Sequence, residues 1–246
     1  GVDNEAFRAV MAKGVRLAKS SAQAPAIAEY VLCNALAQLH PLARYAEDKA
    51  ARRWRRAPFR EIASTRWALV GYGNIGREIA QRLRPFGAGL TVLRRRVGPE
   101  PLADEVRPTA DLIDVAASAD VVVLACALNA ETRGLAGEAF FQALKPGALF
   151  INIGRGGLVD EEALRRGLDR DQPGHAVLDV FEVEPLPEDA WFWAHPKLTL
   201  SPHFSGGGEG VMGRGDSLFL ENLARYARGA ALLNEADPSE ADTSGA

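Results

Sequence analysis

Cysteine is scarce in this chain. Only Cys33 and Cys126 occur among 246 residues, so no disulfide framework can hold the fold, and a reducing, cytoplasmic compartment is the simplest expectation. Long hydrophobic runs are missing as well. The purest, Val121–Leu128, is far below a membrane span, so no membrane partner is expected. There is no basic excess: 29 Lys and Arg stand against 32 Asp and Glu for a net charge of −3, which excludes the global positive field of a nucleic-acid binder. The opening residues Gly1-Val2-Asp3-Asn4-Glu5 lack a basic region followed by an apolar stretch, so no signal peptide is visible, and they do not start with Met. What is present is ordinary globular composition, 47% apolar and 25% charged, which excludes wholesale disorder and coiled coil and can bury one large core or two modest ones.

Short apolar runs alternate with longer amphipathic stretches. Strands are predicted at Trp67–Val70, Leu90–Leu93, Asp120–Ala125, Ala148–Ile153, Ala176–Val180 and Leu198–Ser201. Helices are predicted near Ile75–Leu83, Asp111–Ala117, Gly137–Leu144 and Asp160–Leu168. This alternation implies βαβ crossovers, hence an α/β fold with a doubly wound, mostly parallel sheet. Ahead of it, Ile27, Val31, Ala35 and Leu39 recur at i+4 spacing, Pro41 interrupts, and a charged helical pattern resumes over Leu42–Trp54. This arm reads equally well as a surface for a partner subunit and as an ordinary packing helix. A further helix is predicted from Val211 to about Ala227, and the polar, aromatic-free tail after Asn234 reads as disordered. No internal repeat and no metal-binding spacing are found, so no metal is expected.

Gly71-Tyr72-Gly73-Asn74-Ile75-Gly76 follows one predicted strand and opens a helix. In that setting Gly71 permits the tight turn, Gly73 lets backbone approach a pyrophosphate, and Gly76 allows close helix–strand packing. The helix N-terminus then offers free N–H groups and a positive dipole end to phosphate. A dinucleotide is the expected ligand; a structural glycine turn is the plain alternative. Beyond the second strand, where an acid would grip ribose hydroxyls, stand Arg94, Arg95 and Arg96. Arginines there suit a 2′-phosphate and favour NADP over NAD, unless they form only a solvated basic loop.

Three later segments put ionisable residues at or just beyond strand ends, where open α/β sheets bind ligands. They are Phe150–Asp160 with Arg155, Leu178–Pro185 with Asp179, Glu182 and Glu184, and Leu198–Phe204 with His203. From pattern alone Arg155 could be a surface residue, Glu184 competes with Glu182, and His40, His175 and His195 compete with His203.

These segments resemble the NAD(P)-dependent D-isomer-specific 2-hydroxyacid dehydrogenases, and the similarity runs from Gly1-Val2-Asp3-Asn4 through Ala28-Glu29-Tyr30 to Glu221-Asn222-Leu223. The family's I-N-x-x-R-G arginine falls on Arg155, its L-D-V-F-x-x-E-P glutamate on Glu184, and its P-H histidine on His203. The resemblance implies a Rossmann domain and hydride transfer between NAD(P)H and a small 2-oxo acid or D-2-hydroxy acid, with glyoxylate or hydroxypyruvate as first substrates. Arg155 would clamp the carboxylate and polarise the carbonyl, His203 would move the proton, and Glu184 would stabilise the imidazolium. It also assigns Asn74 and Ile75 to the pyrophosphate, Arg94 to the ribose, Thr132 to the adenosine side, Ile153 and Gly154 to backbone contacts, Asp179 to the nicotinamide amide, and Ser205 and Gly206 to the nicotinamide.

The same resemblance divides the chain into 1–24, a remnant of a discontinuous substrate domain; 25–207, the dinucleotide-binding domain with its dimerisation arm; 208–234, a helix returning to the substrate domain; and 235–246, the tail. A homodimer through Ile27–Trp54 is implied. The chain departs from the family in two ways. Both prolines are missing from the turn Cys126–Thr132, which allows a looser turn and weaker cofactor contact, although Ala can adopt the same backbone conformation. The start of the substrate domain is also absent, which predicts a cleft with one complete wall and slow turnover. Two other functions compete: a non-catalytic NAD(P)-binding sensor or corepressor-like protein, and a methyltransferase that would leave Arg155 and His203 unexplained.

Overall fold

The structure, a computed structural model, describes residues 5–236. The Gly1–Asn4 part of the resemblance and positions 237–246 of the expected tail lie outside the described residues. Seven strands make one parallel sheet: β1 (Arg66–Val70), β2 (Gly89–Leu93), β3 (Glu105–Arg107), β4 (Val121–Leu124), β5 (Leu149–Asn152), β6 (His175–Leu178) and β7 (Leu198–Leu200), in the order β3-β2-β1-β4-β5-β6-β7. The register aligns Val70 with Leu93 and Leu124, Leu124 with Asn152, and Leu178 with Asn152 and Leu200, so the carboxyl ends form one edge. The order reverses between β1 and β4, the place where a doubly wound sheet leaves a crevice. This is the expected α/β, doubly wound architecture.

Covering on both faces explains the unbroken apolar runs. Along β1 successive side chains alternate: Trp67 and Leu69 enter one core, Ala68 and Val70 the other. The first core lies under α2 (Ala24–Leu39) and α4 (Asn74–Leu83), with Val31, Ala35, Ile79 and Leu83 buried against the sheet. The second lies under α5 (Leu112–Ala116), α6 (Glu138–Ala143) and α7 (Glu161–Asp169). Phe140, Phe141 and Phe150 meet edge to face there, with centroids 5.1 to 5.7 Å apart, adding about 1 kcal/mol per pair beyond their buried area. α7 starts at Asp160, whose carboxylate accepts the Ala163 N–H at 2.9 Å, a cap worth about 1 kcal/mol.

Several boundaries differ from the sequence reading. The i+4 stripe of α2 is buried within the chain, so the first half of the expected arm is a packing helix on α4. The second half, α3 (Leu42–Ala50), ends four residues early. Arg52 there adopts a left-handed φ of 53°, Arg53 N–H returns to the Asp48 carbonyl at 2.8 Å, and the buried Asp48 carboxylate draws Arg53 and Arg55 back onto the helix. The Arg55 contact, foremost, holds the Asp48 carboxyl below its usual range. β3 was not foreseen.

The remaining helices are α1 (Glu5–Ala12) and α8 (Val211–Ala227), the latter without a single buried side chain. Arg214 Nε on α8 donates to the Ala22 carbonyl at 2.8 Å. Glu235 and Ala236, first residues of the expected tail, are held in place. Glu235 pairs antiparallel with Ala18 and forms an ion pair with Arg16 at 2.6 Å, while Ala236 N–H donates to Leu17 at 2.7 Å.

Candidate active site

A cavity of about 1030 Å³ runs across the carboxyl ends of the strands and is lined by residues from β2 to the loop after β7. Its floor is the glycine turn. Gly71 has φ +98°, and a Cβ there would lie 2.7 Å from Cys126 backbone atoms; a Cβ on Gly76 would lie 2.5 Å from the Gly71 carbonyl oxygen. These two glycines are demanded by protein packing. Gly73 differs, because a Cβ there meets nothing within 4 Å and would fill only the cavity. α4 begins at Gly73 with no side-chain cap and no acid in its first turn, leaving the N–H groups that a helix cannot satisfy internally at Asn74 and Ile75, both cavity-lining. The turn therefore fits a pyrophosphate.

Tyr72, Arg94, Arg95 and Thr132 all line the cavity. The turn expected to be loose is tied by side chains instead of prolines. Asn129 Oδ1 accepts the N–H groups of Glu131 and Thr132 at 2.9 and 3.0 Å, and Thr132 Oγ1 donates to the Ala127 carbonyl at 2.8 Å. Burial pushes the Cys126 thiol up to about 11, so it packs as a neutral group.

Of the three expected chemical residues, two are in direct contact. His203 Nδ1 lies 2.7 Å from Glu184 Oε2, and the other carboxylate oxygen accepts the Phe181 N–H at 2.9 Å. Glu184 is thus aimed, sits behind His203 and does not itself line the cavity, whereas His203 and Arg155 do. The rival Glu182 turns away to Arg133 at 3.1 Å. The other histidines are placed elsewhere: His40 stacks on Phe59, His175 bonds Thr199, and His195 meets the edge of Trp191. Arg155 follows β5, where Asn152 Nδ2 holds its carbonyl at 3.0 Å and Arg155 Nη1 donates to the Gly154 carbonyl at 2.8 Å. A Cβ on Gly156 would lie 1.9 Å from the Phe181 carbonyl carbon, so the arginine loop presses directly on the loop that carries Glu184.

Asp179 lines the cavity with its acceptors already occupied. Its carboxylate takes Ser201 Oγ at 2.5 Å, Phe204 N–H at 2.9 Å, and both the N–H and hydroxyl of Ser205, while its carbonyl takes the His203 N–H at 2.8 Å. The residue expected at the nicotinamide amide thus anchors the histidine loop, in which His203 has a left-handed φ of 51°. Ile153, Ser205 and Gly206 line the cavity; Gly76 and Gly154 do not, a Cβ at Gly154 falling 2.7 Å from Leu158. Sequence reasoning missed two supports. Tyr30 on α2 reaches Ser201 Oγ at 2.7 Å and so joins the Asp179 group. Asn234 bonds both Ser21 and Asn74, at 3.0 and 3.3 Å. The first stands inside the family-like Ala28-Glu29-Tyr30 segment; the second lies 160 residues from its partner Asn74, with no local motif.

Among the described residues no group of His, Cys, Asp and Glu is placed to hold a metal, and no helix is long and apolar enough to cross a membrane. The family model for the D-isomer specific 2-hydroxyacid dehydrogenase NAD binding domain matches residues 32–205. Glyoxylate reductase/hydroxypyruvate reductase of Mus musculus is 36% identical over 173 residues, 68% of this chain and 51% of that protein. The chain spans about half the length of the curated relatives it matches. Among solved structures, a D-isomer specific 2-hydroxyacid dehydrogenase from Xanthobacter autotrophicus Py2, in complex with NADPH and MES, superposes with a TM-score of 0.82 at 28% identity, covering 92% of this chain and 94% of that one. The NADPH-dependent glyoxylate/hydroxypyruvate reductase of Sinorhizobium meliloti, in complex with NADP and sulfate, gives a TM-score of 0.83 at 26% identity, covering 97% and 77%.

Proposed function

The chain belongs to the D-isomer specific 2-hydroxyacid dehydrogenase family, and from that premise we propose that it reduces a small 2-oxo acid to the D-2-hydroxy acid with NAD(P)H, NADP being preferred. The observation that carries this reading is the Glu184–His203 pair at 2.7 Å, facing the cavity that Arg155 and the glycine turn also line. Gly73, Asn74, Ile75 and Thr132 would hold the cofactor, whose nicotinamide supplies the hydride when bound. The rest falls to the protein. The Arg155 guanidinium binds the substrate carboxylate and draws electron density toward the carbonyl oxygen. As the carbonyl π pair moves onto oxygen, His203 gives it the proton from Nε2, because Nδ1 is held by Glu184. Glu184 fixes the ring orientation and balances the imidazolium charge. His203 is half exposed and can be reprotonated from solvent.

Glyoxylate and hydroxypyruvate are the substrates we propose, in keeping with the named relatives. For cofactor preference, the support is the run Arg94–Arg96 where an acid would favour NAD, and relatives crystallised with NADPH or NADP. We also place the protein in the cytoplasm, since Cys33 and Cys126 are both unpaired. It is read as a homodimer through segment 42–59, where Leu42, Tyr45, Trp54 and Phe59 are exposed.

The test is reduction of glyoxylate and hydroxypyruvate by wild type, Arg155→Ala and His203→Ala, with NADPH binding measured alongside. Each substitution is expected to lower kcat/KM by about 10²- to 10³-fold while NADPH still binds. Turnover unchanged in both variants overturns the mechanism. Cofactor binding with no turnover in wild type favours the sensor reading instead.

A further inference from the structure

Three arginines follow β2, and the fold treats them differently. The Arg94 guanidinium is engaged inside the protein: Nη2 donates to the Gly98 carbonyl at 3.0 Å, Nη1 approaches Glu100 Oε2 at 3.5 Å, and the group lies 5.5 Å from the centre of the Tyr72 ring. Both charged side chains are largely covered, 21% exposed for Arg94 and 15% for Glu100, so solvent screens their attraction less than that of a surface pair. Beside them Arg94 Nε is buried without an acceptor, and the buried Tyr72 hydroxyl has the Glu100 carboxylate as its nearby acceptor, without hydrogen-bond geometry. Burial, and then the nearby Glu100 carboxylate, push the Tyr72 phenol up to about 12, so it stays a neutral platform under Arg94. Arg95 contrasts with it. Both arginines line the cavity, but Arg95 is exposed, and among the described residues no acid pairs with it.

A phosphate monoester carries about −1.5 to −2 charges near neutrality. Approaching Arg94, it also approaches the Glu100 carboxylate, and the two charges of that pair largely cancel. Approaching Arg95, it meets a cation with no competing acid. We propose that Glu100 sets how far NADP is preferred over NAD by holding Arg94 neutralised against Tyr72, so that reading of the 2′-phosphate falls mainly to Arg95. This rests on the NADP reading above and adds a specificity residue that opposes it. NAD has only neutral hydroxyls at this position, so a change at Glu100 acts on one cofactor and leaves the other alone.

The experiment is a fluorescence titration of NADPH and NADH, separately, into wild type, Glu100→Gln, Arg94→Ala, Arg95→Ala and Glu100→Gln combined with each arginine change. In Glu100→Gln, NADPH binding is expected to tighten about two- to fivefold, the scale of one partly screened charge, with NADH unmoved. In the wild-type background Arg95→Ala costs more NADPH affinity than Arg94→Ala; in the Glu100→Gln background the Arg94 cost rises toward the Arg95 cost, a coupling that the double-mutant cycle measures. Retained NADH binding reports that each variant is folded, and Arg94→Met, which keeps a stem over Tyr72 without the charge, replaces Arg94→Ala if that variant fails it. Unchanged or weaker NADPH binding in Glu100→Gln, or a larger loss from Arg94 than from Arg95 in wild type, overturns the proposal. A wild type without NADPH preference refutes the NADP reading alone, because the shift in Glu100→Gln still decides the role of Glu100. A wild type that binds neither cofactor overturns both.

Discussion

Gly73 and Gly76 separate two demands that the same short motif makes on glycine. A methyl at Gly76 would meet the Gly71 carbonyl oxygen at 2.5 Å, so Gly76→Ala is expected to destabilise the protein by about 1–3 kcal/mol, read as a lower midpoint in urea. A methyl at Gly73 meets nothing, so Gly73→Ala keeps that midpoint and loses cofactor affinity in a titration. Equal stability losses in both variants would refute the distinction. At this scale the candidates were legible: Arg155, Glu184 and His203 each stand in a distinctive local string, and the structure pairs Glu184 with His203 and sets His203 and Arg155 on the lining of one cavity. Support residues were not readable, because Tyr30 and Asn234 act on partners far along the chain. The engagement of Arg94 was hidden for a similar reason. Glu100 is six residues on, but only the path of the loop turns it back onto the guanidinium.

Among the elements, strands buried on both faces announce themselves as apolar runs, and β1, β2, β4, β5 and β6 are legible that way, with the half-buried β7 showing only alternation. β3 escaped because Glu105-Val106-Arg107 is an edge strand with one apolar residue, too short to show a period. The end of α3 escaped because it depends on a left-handed Arg52 and on a buried carboxylate that no local pattern displays. The β6–β7 seam carries a pH prediction. His175 Nε2 lies 2.9 Å from Thr199 Oγ1, and burial, followed by repulsion from His195, lowers the His175 pKa from 6.5 to about 4. Above pH 6.5 the ring is neutral folded or unfolded and contributes no slope. Between pH 6.5 and about 4 the unfolded chain takes up a proton that the folded chain refuses, so stability falls with falling pH across that window. Thermal melts of His175→Gln are expected to fall less steeply than wild type between those two values; parallel slopes would remove the assignment.

For the molecule as a whole, the arm of the sequence reading resolves into an internal helix, α2, and a segment, 42–59, with Trp54 98% exposed. If two copies meet there, Trp54→Ala is expected to shift the sedimenting species toward monomer with cofactor binding retained. A wild type that sediments as a monomer at all concentrations would refute the dimer. α8 marks the limit of what one copy of this chain accounts for: Phe219, Leu220, Leu223 and Tyr226 are exposed along a helix with no buried side chain. Its apolar periodicity was visible in the sequence, but the identity of the surface it faces is not a local property.

The antiparallel contact of Ala18 with Glu235 has a mechanical consequence. Chain enters and leaves the dinucleotide unit through two segments lying side by side, tied by Ala236 to Leu17, Lys19 to Asn234 and Arg16 to Glu235. Tension applied across Leu17 and Ala236 therefore peels these fastenings apart one after another. The pull has to open that seam before load reaches the sheet, and because Asn234 also bonds Asn74 while Lys19, Asn234 and Glu235 line the cavity, opening it takes down one side of the cofactor cradle first.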